Sequence, residues 1–235
     1  MKLKKNPIRK GFTLVELLVV IAIIAVLAGL ATPAILKAQK AAAKAQATNN
    51  AKEIGTALFG FVEQYGGYPS ESTKQQLIDE GAEVVPEGND ANSYLGQLLA
   101  AGSVDSEKIF YVKGVKGSRE GDSIFSSPEK LLAEGENGFG YVMLEGDEPL
   151  SSPSSIVPLV VAPLKSGGSD PVFDDGPFAG QYIYLTPDGS VSGGKISPDG
   201  KPIAPGRGAG GLFGEGKDSI FEDDVPDVKA PRGLD

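Results

Sequence analysis

The chain has no cysteine, no histidine and no tryptophan in its 235 residues. Without cysteine there is no disulfide, no thiolate metal site and no cysteine nucleophile. Without histidine, a Ser-His-Asp triad and a His-ligated zinc are excluded as well. Positive charge is scarce beyond the start. Lys2, Lys4, Lys5, Arg9 and Lys10 take five of the 22 basic residues, which leaves 17 against 31 acidic ones and a balance of −14. That balance excludes nucleic acid as a partner, because a phosphate backbone is gripped by Lys and Arg. It suits solubility, divalent cations or basic partners.

Charge is also missing where apolar residues are densest. From Phe12 to Leu36 the one ionisable residue is Glu16, and the rest is mainly Leu, Val, Ile and Ala. About 20 apolar residues in a helix cross the hydrocarbon core of a bilayer. A carboxylate in such a helix costs about 2.5–3.5 kcal/mol on insertion scales, and intramembrane charges usually have a partner. Glu16 therefore needs one. An ordinary anchor, with Glu16 snorkelling to the headgroups, is the plain reading. A secretory signal cut near Ala28 or Ala31 is another, but the helical pattern runs past both without a break. The basic residues before the apolar run favour a cytoplasmic N-terminus, with the following domain outside the cytoplasm.

Gly11-Phe12-Thr13-Leu14-Val15-Glu16, with a basic leader before it and an apolar helix after it, resembles the cleavage and methylation signal of type IV pilins and type II secretion pseudopilins. The resemblance covers roughly residues 1–70. It implies cutting between Gly11 and Phe12 by a prepilin peptidase, which then methylates the new Phe12 amine. It also implies that Glu16 pairs with the Phe12 ammonium of a neighbouring subunit. Physically, a buried carboxylate needs a cation, and a shared pair sets the register of packed helices. Pro33 matches the family, and its ring should kink or locally melt the helix. The implied partners are a homo-oligomeric filament with other pilin-like subunits, an inner-membrane assembly platform and a motor ATPase. The implied location is the bacterial inner membrane, in a single pass, followed by assembly. No catalytic role is implied.

The expected organisation is a leader over residues 1–11, a membrane and assembly helix over 12–36 and its amphipathic continuation over 37–65. A globular α+β domain over 66–192 and an irregular acidic region over 193–235 follow. Ile54, Ala57, Leu58, Phe61, Val62 and Tyr65 recur at three-to-four spacing, a stripe that should dock on an antiparallel sheet. Gly66-Gly67 ends the helix. Tyr68-Pro69-Ser70 resembles a segment that follows the long helix in major pseudopilins. Short helices are expected over 77–81 and 94–101. Strands are expected over 109–112, 140–144, 156–161 and 182–185, the third an edge or irregular strand because of Pro158. Thr186-Pro187-Asp188-Gly189 signals a hairpin.

Beyond Gly193 the chain is rich in Gly, Pro and Asp, a composition that either stays disordered or serves an ion. Asp218, Glu222, Asp223 and Asp224 crowd together, and oxygen-rich loops bind Ca²⁺. Major pseudopilins carry a C-terminal calcium loop, and this stretch loosely resembles it, so structural Ca²⁺ is the one ligand expected. Asp174-Asp175 is a second acidic turn. Three functions compete: a polymerising subunit, a membrane-anchored ligand-binding domain, and a hydrolase using paired carboxylates. A tether needs neither Glu16 nor a Gly-Phe junction, and no spacing singles out a carboxylate pair. The subunit of a type II secretion pseudopilus is the favoured reading, with a type IV pilus subunit or a membrane-anchored extracytoplasmic ligand-binding domain as the alternatives.

Overall fold

The computed structural model describes residues 12–150, 157–204, 212–213, 220–221 and 224–233. The chain divides into two compact units, Met1–Gln39 and Lys40–Asp235. Helix α1, Leu14–Tyr65, supplies the described helix of the first and the opening helix of the second. In the first unit its side chains are exposed throughout, Leu, Val and Ile included.

In the second unit α1 turns one stripe inward: Ala43, Ala47, Ala51, Ile54, Gly55, Leu58 and Phe61 are buried. The stripe therefore begins eleven residues before Ile54, in an Ala run whose small side chains let the backbone come close. A Cβ at Gly55 would lie 2.9 Å from Leu185 Cδ1. At the far end, the Gly66 N–H donates to Val62 O and Gly66 takes φ +75°, a left-handed cap.

Helix α2, Glu71–Asp79, starts at a capping box of Ser70 and Thr73. It begins six residues earlier than the expected start at Leu77, because Ser70 and Thr73 satisfy the first free N–H groups. Helix α3, Ala91–Ala100, is capped by Asp90. A buried polar thread joins the two: Thr73 Oγ1 donates to Gln97 Oε1 at 2.7 Å, and Gln97 Nε2 donates to Ser70 O at 3.0 Å. The expected strand over 109–112 is instead a 3-10 turn, Glu107–Phe110, leading into extended chain. Ser106 Oγ accepts from Lys108 N–H and starts the turn, and Asn50 of α1 donates to Tyr111 O at 2.9 Å. Helix α4 is one turn, Pro128–Leu131.

The strands are β1 (Gly140–Leu144), β2 (Val160–Ala162), β3 (Leu164–Ser166), β4 (Val172–Phe173), β5 (Gln181–Leu185), β6 (Val191–Ile196), β7 (Pro202–Ile203) and β8 (Pro226–Lys229). Six form one antiparallel sheet in the order β7-β6-β5-β2-β1-β8, while β3 and β4 pair separately. The architecture is α+β, with the second part of α1 packed on an antiparallel sheet. Strand β2 is central rather than at an edge. Pro158 stands before it and takes no place in the ladder, so the missing N–H costs nothing there.

The hairpin expected at Thr186 is present and has a twin across β6. Thr186 N–H donates to Ser190 O at 3.0 Å, and Ser197 N–H to Lys201 O at 2.8 Å. In both turns a Pro-Asp-Gly sequence is closed by the Asp carboxylate and a left-handed Gly, Gly189 or Gly200. Strand β8 lies inside the stretch expected to be irregular. It pairs with β1 from Tyr141↔Lys229 to Leu144↔Pro226. Pro226 is the strand's first residue at a sheet edge, a position where proline is tolerated.

Candidate functional site

Thr13 precedes the first residue of α1, and Glu16 is the third residue of the helix. Thr13 N–H and Oγ1 both donate to Glu16 Oε2, at 2.8 and 2.7 Å, and the Glu16 N–H donates to Thr13 Oγ1 at 3.2 Å. This is a reciprocal capping box, two otherwise orphaned backbone donors satisfied by one residue pair. The signal is legible in the sequence as Thr-x-x-Glu before an apolar run, although a lone charge in such a run points first to pairing or snorkelling. Oε2 takes both bonds. Among the described residues Glu16 Oε1 has no donor, so one carboxylate oxygen is free for an incoming cation without dismantling the cap.

Phe12 is exposed, as are the apolar side chains that follow it in the first unit. α1 is long and apolar enough to cross a membrane. Burying such a surface, in lipid or against like helices, is worth about 25 cal/mol per Å². Gly11 and the basic leader lie outside the described residues. Pro33 sits within α1, which continues through it, so the ring does not melt the helix locally. Next to it, Thr32 Oγ1 donates to Ala28 O at 2.7 Å.

The prokaryotic N-terminal methylation motif matches residues 7–32, which contain Gly11, Phe12 and Glu16. The chain is type IV pilin-like at its N-terminus. It is 40% identical over 63 residues to the type IV major pilin protein PilA of Myxococcus xanthus (strain DK1622), a stretch covering 27% of this chain and 29% of that protein. The pilin-like chain is thus matched over less than a third of that relative's length. No solved structure matches it.

Tyr68-Pro69-Ser70, the second stretch tied to the pilin-like resemblance, is structural. Pro69 O accepts from the buried Tyr141 hydroxyl at 3.0 Å, and Ser70 caps α2. Of the four C-terminal acids, Asp218, Glu222 and Asp223 lie outside the described residues, and Asp224 is exposed with its N–H donating to Phe221 O at 2.9 Å. Asp174 and Asp175 line a cleft of about 440 Å³ together with Lys116, Lys165 and Asp199. Asp174 is engaged within its own turn, accepting from Gly176 N–H at 2.9 Å.

Proposed function

We propose that this pilin-like chain is a structural subunit, cut between Gly11 and Phe12 at the inner membrane, methylated on Phe12 and polymerised through α1 into a filament. One observation carries the reading: the methylation motif ends in an exposed apolar helix whose first turn holds a single carboxylate, one oxygen of which has no donor among the described residues. Cutting creates an ammonium at Phe12. In an apolar bundle that ammonium and Glu16 of the next subunit each cost several kcal/mol alone and far less as a pair. The helix is anchored in the membrane in a single pass before assembly, and the acidic domain faces away from the cytoplasm.

A type II secretion pseudopilus is the favoured destination. It is supported by the absence of cysteine, by Tyr68-Pro69-Ser70 and by the acidic C-terminal region. In this reading Asp218, Glu222, Asp223 and Asp224 are the proposed ligands of a structural Ca²⁺, and the partners are an assembly platform and a motor ATPase. The similarity to a type IV major pilin favours a second destination, a type IV pilus.

Mass spectrometry of the N-terminus in membrane fractions tests the core of the proposal. A chain beginning at methylated Phe12 is expected, with Gly11→Val leaving an uncut membrane-bound precursor. A start at Met1 or beyond Ala31 would overturn it. Deleting the gene separates the destinations: loss of secreted proteins from the medium marks a pseudopilus, loss of sheared surface fibres a pilus.

A further inference from the structure

Three carboxylates meet in the second unit, far along the chain from Glu16. Glu107 of the 3-10 turn, Asp122 of the loop after Arg119, and Glu136 beyond α4 each bring one oxygen within 4.8 Å of the others. Glu107 and Glu136 are fully buried, while Asp122 reaches solvent. Backbone donors grip the two buried groups. Ser123 N–H donates to Glu107 Oε2 at 2.7 Å, Ala133 N–H to Glu136 Oε2 at 2.8 Å and Asp122 N–H to Glu136 Oε1 at 3.2 Å. The loop lies flat on Glu107, since a Cβ at Gly121 would come 2.4 Å from Glu107 Cβ.

Arg119 is the cation beside them. Its Nη1 lies 2.7 Å from Glu136 Oε1 and 3.7 Å from Asp122 Oδ2. Its own Nε donates to Glu134 O at 3.1 Å and its N–H to Gly135 O at 2.8 Å, so it is held in place. One guanidinium against three carboxylates leaves two negative charges uncompensated. One atom marks where compensation is lacking: Glu107 Oε1 is buried and, among the described residues, has no hydrogen-bond partner. A buried acceptor with no donor is costly, and a buried carboxylate more so. Burial above all, opposed by the Ser123 N–H and helped by the Glu136 and Asp122 charges, raises the Glu107 pKa from its ordinary value.

A proton would cancel one of the two charges. A divalent cation cancels both, and an all-oxygen ligand set suits a hard ion. Carboxylates that bind in one- or two-oxygen fashion suit Ca²⁺ better than Mg²⁺, which demands near-octahedral geometry. We propose that Glu107, Asp122 and Glu136 form a Ca²⁺ site, with water completing the shell and Glu107 Oε1 as its buried ligand. The ion would tie the 3-10 turn, the loop over 119–123 and the chain after α4 into one piece. This site shares no residue with the C-terminal acids and does not depend on the filament reading.

The test uses the full chain in detergent micelles, stripped with chelator and titrated with CaCl₂ by calorimetry, with melting curves alongside. Wild type is expected to bind Ca²⁺ and to melt higher with it. Glu107→Gln and Asp122→Asn should each raise the calcium Kd by about tenfold or more, as loss of a charged ligand from such a site does. Asp122 is partly exposed, so Asp122→Asn reports on binding even if Glu107→Gln folds poorly. The paired change Asp223→Ala with Asp224→Ala should leave this binding intact. No calcium heat in wild type, equal binding in both single variants, or loss only in the C-terminal pair would overturn the site. So would a Glu107→Gln chain that melts in calcium at or above wild type, since a proton would then be what Glu107 holds.

Discussion

Glu16 Oε2 accepts two hydrogen bonds from Thr13 at the first turn of α1, so the carboxylate is pinned before any neighbouring subunit arrives. Two roles meet in one side chain, helix cap and charge partner, and substitution can separate them. Thr13→Ala removes the hydroxyl and should cost about 1 kcal/mol of helix-start stability. The charge on Glu16 survives, so filaments should form in reduced yield. Glu16→Ala should insert more readily, by about 2–3 kcal/mol, yet fail to assemble because the Phe12 ammonium is stranded. Shearing and crosslinking of membrane fractions measure both. Normal filaments in Glu16→Ala would remove the pairing role.

Asn92 Oδ1 accepts from the Arg232 backbone N–H at 2.9 Å across 140 residues of chain. The same side chain donates to Leu132 O and Ala133 O and accepts from Asn137 Nδ2, with almost no exposure. Asn92→Ala strands several buried groups at once and should destabilise by about 3 kcal/mol. Arg232→Ala loses a partly exposed ion pair with Asp90 but keeps the backbone bond, so it should cost about 1 kcal/mol. Denaturant melts of the two variants rank them. Equal losses would mean that the Arg232 side chain, not the Asn92 amide, holds the C-terminal segment.

What could be read ahead of the structure was what local spacing controls. The Gly-Phe junction, the apolar run, β1, β5 and the Thr186 turn are each a pattern within ten residues or so of chain. The capping box at Thr13 is equally local, but its glutamate is also the one charge of the apolar run, and that second role hides the first. The stripe expected from Ile54 begins at Ala43, because alanine carries too little apolar surface to mark a buried face by spacing alone. The Glu107 cluster joins residues 107, 122 and 136 through loops, and no spacing rule points to it. The 3-10 turn beat the strand pattern of Ile109–Val112 because Asn50, on a distant part of the chain, claims the Tyr111 carbonyl.

Three tyrosines should make the domain sensitive to alkali. Tyr94 is buried with its hydroxyl unpartnered among the described residues. Burial first, and then the Asp147 charge, push its pKa up to about 12. Burial likewise raises Tyr141 and Tyr182. Unfolded tyrosine ionises near pH 10, roughly. From about pH 10 to about pH 12 the unfolded chain therefore holds fewer protons than the folded one, and stability falls as pH rises. Phenolate absorbance of these three should appear in step with loss of circular dichroism. Smooth ionisation near pH 10 in a chain that keeps its secondary structure would refute the burial argument.

Two glycines make a sharper comparison, because both approach a neighbour closely and only one neighbour can yield. At Gly55 an added Cβ would meet Leu185 Cδ1 at 2.9 Å, the tip of a side chain that can rotate. Alanine also gains about 1 kcal/mol over glycine in a helix interior, so Gly55→Ala should end within about 1 kcal/mol of wild type. At Gly167 an added Cβ would lie 2.1 Å from Val228 O and 3.0 Å from Ala230 N, both backbone atoms of β8 and its continuation. Nothing there can rotate away. Gly167→Ala must push β8 off, breaking the Gly168↔Val228 bridge and then the pairing with β1. A loss of about 3 kcal/mol or more is expected, in the range of an overpacked core. Hydrogen exchange should show the Asp227, Val228 and Lys229 amides opening first. If Gly167→Ala exchanges like wild type at those amides, β8 is not held where the packing places it.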